Sequence, residues 1–121
     1  MPTITDTRAG LRRLLAVDPG ALFLAEFYGQ LAGTLIAAFD GWRGSFYRLV
    51  VRPDLRRRGI ATALLRAGER RLLELDAVRL TAIVDWNDPV AMSFWNGRGY
   101  ESQADRIRFV YAASGSVPRL D

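Results

Sequence analysis

Hydrophobic and polar positions repeat along this chain with two periods, one helical and one extended, and each change of period marks a new element. Residues 8 to 17 carry leucines at helical spacing, and Asp18-Pro19-Gly20 ends that helix. Two apolar runs follow, at residues 21 to 27 and 31 to 39, with a Tyr-Gly-Gln turn between them. This arrangement predicts a β-hairpin.

A third apolar run leads directly into the longest helical pattern of the chain. After a turn at residues 40 to 44, the run ends with Leu49, Val50 and Val51, and Arg52-Pro53 stops the strand. The helix that follows, up to residue 75, is predicted from apolar side chains that share one face. These are Ile60, Leu64, Ala67, Gly68 and Leu72.

Beyond that helix the pattern predicts one more strand, a short helix and a last strand. Residues 78 to 84 form an apolar strand, placed beside the third strand by a crossover connection. Asp88 is a good N-cap with Pro89 at the first helical position, and two glycines end this helix. With a last strand at residues 106 to 112, the fold class is α+β, a mixed and mostly antiparallel sheet flanked by helices.

Composition places the chain among globular proteins. Its 121 residues, half of them hydrophobic, fit a single domain over residues 1–121. No apolar run approaches the ~20 residues of a membrane span, and the N-terminus lacks the layout of a signal peptide. With no cysteine there is no disulfide framework, so we expect a cytoplasmic location.

The chain contains neither cysteine nor histidine, which removes several classes of catalytic site. A Cys/His nucleophile, a Ser-His-Asp triad and an imidazole metal site are all excluded. We therefore expect no metal. No reaction intermediate can therefore be carried on an enzyme thiol.

The net charge is +4, and all 17 basic residues are arginine. This excess admits nucleic-acid binding as one interpretation. Many of the arginines occupy positions that are expected on solvated helix faces, namely Arg12, Arg13, Arg66, Arg70 and Arg71. The arginines at positions 56 to 58 have a different explanation, because they stand immediately before a helix.

The segment between the third strand and the long helix has the composition of an anion-binding loop. A helix start leaves backbone N–H groups unpaired and carries a partial positive charge. Gly59 lets a phosphate approach those amides closely, Ala61 keeps the next turn small, and Thr62 adds a hydroxyl donor. The segment predicts a phosphate or pyrophosphate site, and the competing interpretation is a solvated, arginine-rich helix start. It matches neither the P-loop nor the GxGxxG pattern.

The sequence Arg56-x-x-Gly59-x-Ala61, placed after a Leu-Val-Val strand, resembles the acyl-CoA-binding motif of the GNAT N-acetyltransferases. Residues 40 to 54 are similar to the YpeA-type bacterial branch of that family, and the later Phe-Trp-Asn-Gly-Arg-Gly-Tyr segment adds to the likeness. The resemblance covers residues 11 to 100. It implies a GNAT-like sheet and acetyl-CoA as the co-substrate.

The resemblance also implies which residues hold acetyl-CoA. The backbones of Leu49, Val50 and Val51 pair with the pantetheine arm as an added strand, and one backbone N–H polarises the thioester carbonyl. Their side chains are core residues under either interpretation. The pyrophosphate is expected on main-chain amides, with Arg56 at the first position of the motif. Those amides belong to Arg57, Arg58, Gly59, Ile60, Ala61 and Thr62.

Near the short helix the sequence departs from the family. Asn87 is the candidate for an asparagine that contacts pantetheine, although counting back from Trp95 makes Asp88 the alternative. Trp95 stands where the family has a tyrosine that acts as general acid, and an indole has no acidic proton to give. We expect Trp95 to pack against the core or the CoA arm. The candidates for proton transfer, which spacing does not rank, are Tyr47, Asp40 and Asp85, with Glu26 and Tyr100 behind them.

The leading hypothesis is an N-acetyltransferase that moves an acetyl group from acetyl-CoA to a primary amine in a ternary complex. The acceptor is a small molecule or a protein N-terminus, and neither nucleic acid nor a membrane is expected as a partner. The alternative is a non-catalytic acyl-CoA-binding module. It is motivated by Trp95 and by Ala82 or Ile83 at the strand position where some relatives carry a glutamate base.

Only about seven residues precede the first helix, too few for the strand and helix with which the family usually begins. Those elements are expected to be absent or vestigial. The strand at residues 21 to 27 is then too apolar to leave bare. Either a homodimer covers it, or residues 1 to 6 fold back as a replacement strand.

Overall fold

The computed structural model describes residues 7–111, and contacts divide the chain into two compact units. One unit contains Leu11–Ile83, and the other contains Met1–Gly10 together with Val84–Asp121. The prediction of a single domain over residues 1–121 stays a prediction. Residues 1 to 6, for which a fold-back is proposed, and residues 114 to 121, for which the sequence predicts a loose tail, lie outside the described residues.

The larger unit is built on a four-stranded sheet. Its strands are β1 (Leu22–Phe27), β2 (Gln30–Phe39), β3 (Gly44–Val51) and β4 (Leu80–Ala82). They lie in the order β1-β2-β3-β4, the first three antiparallel and β4 parallel to β3. The α+β class and the mixed, mostly antiparallel sheet are confirmed.

The hairpin between β1 and β2 is also confirmed, and its turn has two residues. Phe27 pairs with Gln30, and the residues between them, Tyr28 and Gly29, have φ of 51° and 78°. Positive φ at both central positions is the conformation that matches the twist of the flanking strands. Because the turn has only two residues, Gln30 is already paired with Phe27, and β2 begins one residue earlier than the apolar pattern suggested.

Two helices of the prediction are found in this part of the chain. Helix α1 (Arg8–Val17) has the predicted bounds, and its start is capped by Thr7, whose Oγ1 accepts the Gly10 N–H at 2.9 Å. Helix α2 (Ile60–Glu74) contacts β1, β2 and β3. The buried residues of this helix are Leu64, Leu65, Gly68 and Leu72.

Helix α2 is seated close against the sheet because Gly68 has no side chain. A Cβ at Gly68 would lie 2.9 Å from Leu35 Cδ2 and 3.1 Å from both Ala37 Cβ and Phe46 Cε1. Leu35 and Leu72 are among the largest fully buried side chains described. The predicted apolar face of this helix is therefore the one that builds the core, and it fixes α2 relative to β2 and β3.

The prediction that Arg71 faces solvent is wrong. Its guanidinium donates to the Ala37 carbonyl oxygen at 2.6 Å and forms an ion pair with Asp18, a residue that is only 8% exposed. The Phe39 N–H donates to the same carboxylate at 2.9 Å. The helical pattern placed Arg71 on the polar side of α2, but a buried carboxylate from the turn after α1 draws it inward.

The smaller unit contains α3 (Pro89–Gly97), which begins as predicted. Asp88 is its N-cap, and its carboxylate accepts the Ala91 N–H at 3.0 Å. The last predicted strand is wrong for residues 106 to 111, which are exposed and form no strand; residue 112 lies outside the described part. No helix among the described residues has the length and apolar character to cross a membrane.

Candidate functional site

The strands β3 and β4 are paired over only a short distance. The paired residues are Gly44 with Leu80, Ser45 with Thr81, and Phe46 with Ala82. The predicted strand at residues 78 to 84 is therefore shortened to three residues, because pairing with β3 stops there. Strand β3 continues to Val51, so in the described part of the chain no strand pairs with its later residues on the side away from β2. This free edge contains Leu49, Val50 and Val51.

A β-bulge in β3 lies where the pairing with β4 ends. Thr34 pairs with Val50 and Ile36 with Tyr47, so two residues of β3, Arg48 and Leu49, face one residue of β2. Arg48 has φ of 56°, which is uncommon for a residue other than glycine. A bulge bends its strand and increases the local twist. Here it changes the direction of β3 immediately before the free edge.

The chain between β3 and α2 presents the start of that helix without a side-chain cap. A short 3₁₀ turn, Pro53–Leu55, is followed by two residues with positive φ, Arg57 at 66° and Gly59 at 78°. Gly59 is the N-cap residue of α2 and offers no side-chain acceptor to the first-turn amides. A Cβ at Gly59 would meet nothing within 4 Å. The predicted pyrophosphate loop is therefore open, as an anion site at a helix start requires.

Arginine side chains surround this helix start. Arg56, Arg57 and Arg58 are all exposed. The guanidinium of Arg58 lies 5.0 Å from the centre of the Phe27 ring, at the end of β1. Among the described residues, neither Arg56 nor Arg57 forms an ion pair. Their charges add to the helix dipole at the first turn of α2, which favours bound anions.

The three candidates for proton transfer lie in different surroundings. Tyr47 is half exposed in β3, directly before the bulge. Asp40 is occupied in the turn before β3, where its Oδ1 accepts the Trp42 N–H at 2.8 Å and the Arg43 N–H at 2.6 Å. These hydrogen bonds, that from Arg43 first, lower the pKa of Asp40. Asp40 therefore stabilises this turn, and its lowered pKa makes its carboxylate a weaker base.

Asp85, Asn87, Trp95 and Tyr100 belong to the smaller unit, whereas Glu26 lies on β1 in the larger one. Asp85 Oδ1 accepts the Asn87 N–H at 2.9 Å in the turn before α3. Asn87 is exposed, whereas the Asp88 carboxylate is occupied as the helix cap, which favours Asn87 for the predicted ligand contact. Trp95 is partly buried and meets the rings of Phe94 and Tyr100 edge to face, with centroids 5.6 Å and 5.0 Å away. These contacts are those of a packing residue.

The sequence reasoning missed the bulge and the residues of β2 that accompany it. Thr34 donates a hydrogen bond to the Arg48 carbonyl oxygen at 3.0 Å. A Cβ at Gly33 would lie 2.8 Å from the Val50 carbonyl oxygen. The one available signal was the glycine, since glycine inside a strand often marks a bulge or a close backbone approach.

Comparisons with known proteins agree with this geometry. The sequence profile of the acetyltransferase (GNAT) family matches residues 2–100. The chain belongs to the GNAT acetyltransferase family. An acetyltransferase of Sodalis glossinidius is 33% identical over 98 residues, which make up 81% of this chain and 69% of that protein.

Solved structures of GNAT proteins have the same fold. The aminoglycoside acetyltransferase AAC(6')-Iy, in complex with a bisubstrate analogue, superposes with a TM-score of 0.72 at 20% identity, covering 93% of this chain and 84% of that one. An aminoglycoside acetyltransferase from an uncultured soil sample gives 0.67 at 27% identity, covering 89% and 75%. The chain is thus an acyl-CoA-dependent acetyltransferase with acetyl-CoA as its co-substrate.

The residues present fit that co-substrate. The free edge of β3 offers backbone partners to the amides of pantetheine, and the open start of α2 offers donors and positive charge to a pyrophosphate. No group of three potential metal ligands occurs among the described residues.

Proposed function

We propose that this chain transfers the acetyl group of acetyl-CoA directly to a primary amine, with both substrates bound together in a ternary complex. The observation that carries the proposal is the free edge of Leu49, Val50 and Val51 beside the uncapped start of α2. The chain has no cysteine on which an acetyl group could wait between two half-reactions. Direct transfer is the simplest route that remains.

In the proposed complex the pantetheine arm pairs with the free edge of β3, and the pyrophosphate lies on the amides of residues 57 to 62. The amine nitrogen attacks the thioester carbonyl carbon, so that a C–N bond forms, the C–S bond breaks, and the sulfur leaves as a thiolate. A backbone N–H of β3 donates to the carbonyl oxygen as negative charge develops on it. Arg56 and Arg57 balance the charge of the pyrophosphate.

Two protons have to be managed, one lost by the amine and one gained by the sulfur. We assign Tyr47 to this task, directly or through water, because it lies in β3 itself next to the bulge and its hydroxyl both donates and accepts. Asp40 is less suited, because two backbone amides occupy its carboxylate. Asn87 is proposed to contact pantetheine, and Trp95 to pack within its unit.

The acceptor is proposed to be a small molecule with a primary amine. Several solved proteins of the same fold are named aminoglycoside acetyltransferases, so aminoglycosides are the first acceptors to test. Amino acids and peptides with a free N-terminus complete the panel. This wider choice is needed because the structural neighbours differ from the chain at most positions.

Two measurements test the proposal. Calorimetry should show that CoA binds, and thiol release from acetyl-CoA should depend on at least one amine of the panel. For that amine, initial rates at varied concentrations of both substrates should give intersecting lines, as a ternary complex requires. Parallel lines would refute direct transfer. Binding of CoA without any amine-dependent release would favour the non-catalytic module.

We also propose a homodimer. Strand β1 lies at the edge of the sheet and pairs only with β2 in the described part of the chain. Leu24 on this strand is 58% exposed. An apolar edge strand of six residues invites pairing with another chain, and a two-fold partner satisfies it without leaving a further edge open.

A further inference from the structure

The bulge in β3 is tied to β2 by one side chain. The Thr34 hydroxyl donates to the Arg48 carbonyl oxygen at 3.0 Å, and Thr34 itself pairs with Val50 on the far side of the bulge. Arg48 holds a positive φ of 56°, a conformation that is unfavourable for a residue with a side chain. The hydroxyl thus supports the one strained peptide of the strand.

The neighbouring residue of β2 makes room for the displaced strand. A Cβ at Gly33 would lie 2.8 Å from the Val50 carbonyl oxygen and 3.3 Å from Val51 Cγ2. Any larger residue would push β3 outward at the point where the bulge ends. Two residues of β2 therefore determine the path of β3 along its free edge. Gly33 does so because it lacks a side chain, and Thr34 does so through its hydroxyl.

The hydrogen bond to Arg48 also orients the next amide. The Arg48 carbonyl and the Leu49 N–H belong to one peptide group, and the described chain contains no cis peptide. In a planar trans peptide the C=O and N–H bonds point in opposite directions. Because the carbonyl points to Thr34 of β2, the Leu49 N–H points away from β2, towards the free edge of β3.

We infer that Thr34 is a positioning residue for acetyl transfer. It touches neither substrate. It holds the Arg48–Leu49 peptide so that the Leu49 N–H is aimed at the thioester carbonyl oxygen, the role that the proposed function gives to a backbone amide of β3. The inference rests on that proposed function and adds to it the residue that orients the donor.

Replacement of the hydroxyl by a methyl group tests this role. Thr34→Val keeps the shape and the β-branching of the side chain but removes the donor to Arg48. With the best amine of the panel, kcat should fall about ten- to hundredfold, the range expected when an oxyanion donor is misdirected. The Kd for CoA should stay near the wild-type value, because the pyrophosphate loop is untouched. Thr34→Ser keeps the hydroxyl and should recover most of kcat.

Thr81→Val is the matched control. It makes the same chemical change in the same sheet, at the position paired with Ser45 in β4. Within residues 7–111, the hydrogen bonds of the Thr81 hydroxyl are long, 3.5 Å each to the Ser45 hydroxyl and the Gly44 carbonyl oxygen. Its kcat and its Kd for CoA should both resemble the wild type. Melting curves of all three variants verify that each is folded.

A spectroscopic measurement separates this inference from the proposed function. In the ¹⁵N-labelled wild type, acetyl-CoA and CoA should shift the Leu49 amide resonance differently, and Thr34→Val should abolish that difference. This readout needs no acceptor, so it remains decisive even if no amine supports turnover. An unchanged kcat and an unchanged Leu49 shift in the folded Val variant would overturn the assignment. If kcat falls equally in Thr34→Ser and Thr34→Val, the hydroxyl has no positioning role and Thr34 is a packing residue.

Discussion

At the level of single residues, the structure contains two glycines in similar conformations and different surroundings. Gly41 has φ of 94° and Gly59 has φ of 78°, and a Cβ at either position would enter open space. Gly41 belongs to the turn before β3, whereas Gly59 begins α2 after the other end of that strand. A side chain is strained at both positions because φ is positive at each, so a comparison of the two separates the effect of backbone strain from that of blocking the ligand.

Gly59→Glu should abolish CoA binding, since it places a side chain and a negative charge at the open amides of α2. Gly41→Glu also places a charged side chain at a positive φ, in the turn at the far end of β3, and it should bind CoA as the wild type does. Calorimetric titration of both variants with CoA checks the expectation. Wild-type affinity in Gly59→Glu would remove the pyrophosphate from this loop.

The sequence alone pointed to the proposed anion site, because glycine and arginine before an amphipathic helix are a local signal. It did not reveal Thr34 or the unusual φ of Arg48. A bulge depends on how two strands are aligned, and an alternating apolar pattern does not encode that alignment at single-residue accuracy. Gly33 indicated where a bulge could lie, but it did not show how the bulge changes the direction of β3.

At the level of elements, the predictions succeeded where both ends of an element carry local signals. Helix α1 has its predicted bounds, and α3 begins at its predicted N-cap. The predictions failed where the extent of a strand depends on pairing with a neighbouring strand. Strand β4 is short because its ladder with β3 ends early, and residues 106 to 111 alternate as a strand would but form none. A strand needs a partner, and only the fold supplies one.

Trp95 in α3 should behave as a packing residue. Trp95→Phe keeps an aromatic ring beside Phe94 and Tyr100 and should retain most of the wild-type kcat. Trp95→Ala removes both edge contacts and should lower the free energy of unfolding by about 2–3 kcal/mol, less than the ~3–5 kcal/mol of a fully buried aromatic residue. Denaturant titration and steady-state rates give the two readouts. A folded, CoA-binding Phe variant without activity would show a chemical role for the indole.

At the level of the whole molecule, the ion pair between Asp18 and Arg71 links distant parts of the larger unit. It joins the turn after α1 to the last part of α2, across 53 positions of sequence, and also reaches β2 through the Ala37 carbonyl and the Phe39 amide. Burial alone raises the pKa of Asp18, but the hydrogen bonds from Arg71 and Phe39 and the Arg71 charge outweigh it, so the pKa is lowered from 3.8.

This lowered pKa predicts acid sensitivity. A carboxyl group whose pKa is lower in the folded state stabilises the protein above its unfolded-state pKa, and that stabilisation disappears as pH falls through the folded-state value. The free energy of unfolding should therefore fall as pH is lowered below about 4. In Asp18→Asn it should be smaller at pH 7, by about 3 kcal/mol, and should change less with acid.

Asp54→Asn provides the comparison for an exposed ion pair. Its partner is Arg52, and the two side chains are 61% and 45% exposed. This variant should lose about 1 kcal/mol or less at pH 7 and should keep the acid sensitivity of the wild type. Denaturant titrations at several pH values measure both variants. A wild-type pH profile in Asp18→Asn would show that other groups cause the acid response.

The proposed homodimer is a prediction about the assembled molecule. Light scattering at micromolar concentration should give twice the mass of one chain. Leu24→Glu places a charge on the exposed side of the edge strand β1 and should shift the protein towards a monomer, whereas Val17→Glu alters an exposed residue outside the sheet and should not. A monodisperse wild-type monomer would rule the dimer out and favour the fold-back of residues 1 to 6.

The connection between β3 and α2 is short and internally bonded. The Arg52 N–H donates to the Ala32 carbonyl at 2.8 Å, the Leu55 N–H donates to the Arg52 carbonyl at 2.9 Å, and α2 begins five residues after Leu55. The edge proposed to receive the pantetheine arm and the amides proposed to receive the pyrophosphate are therefore held at a set spacing. If both proposals hold, the site selects the length of the donor as well as its functional groups. A CoA analogue whose arm is one methylene longer or shorter is then expected to bind more weakly than CoA, although it keeps every functional group.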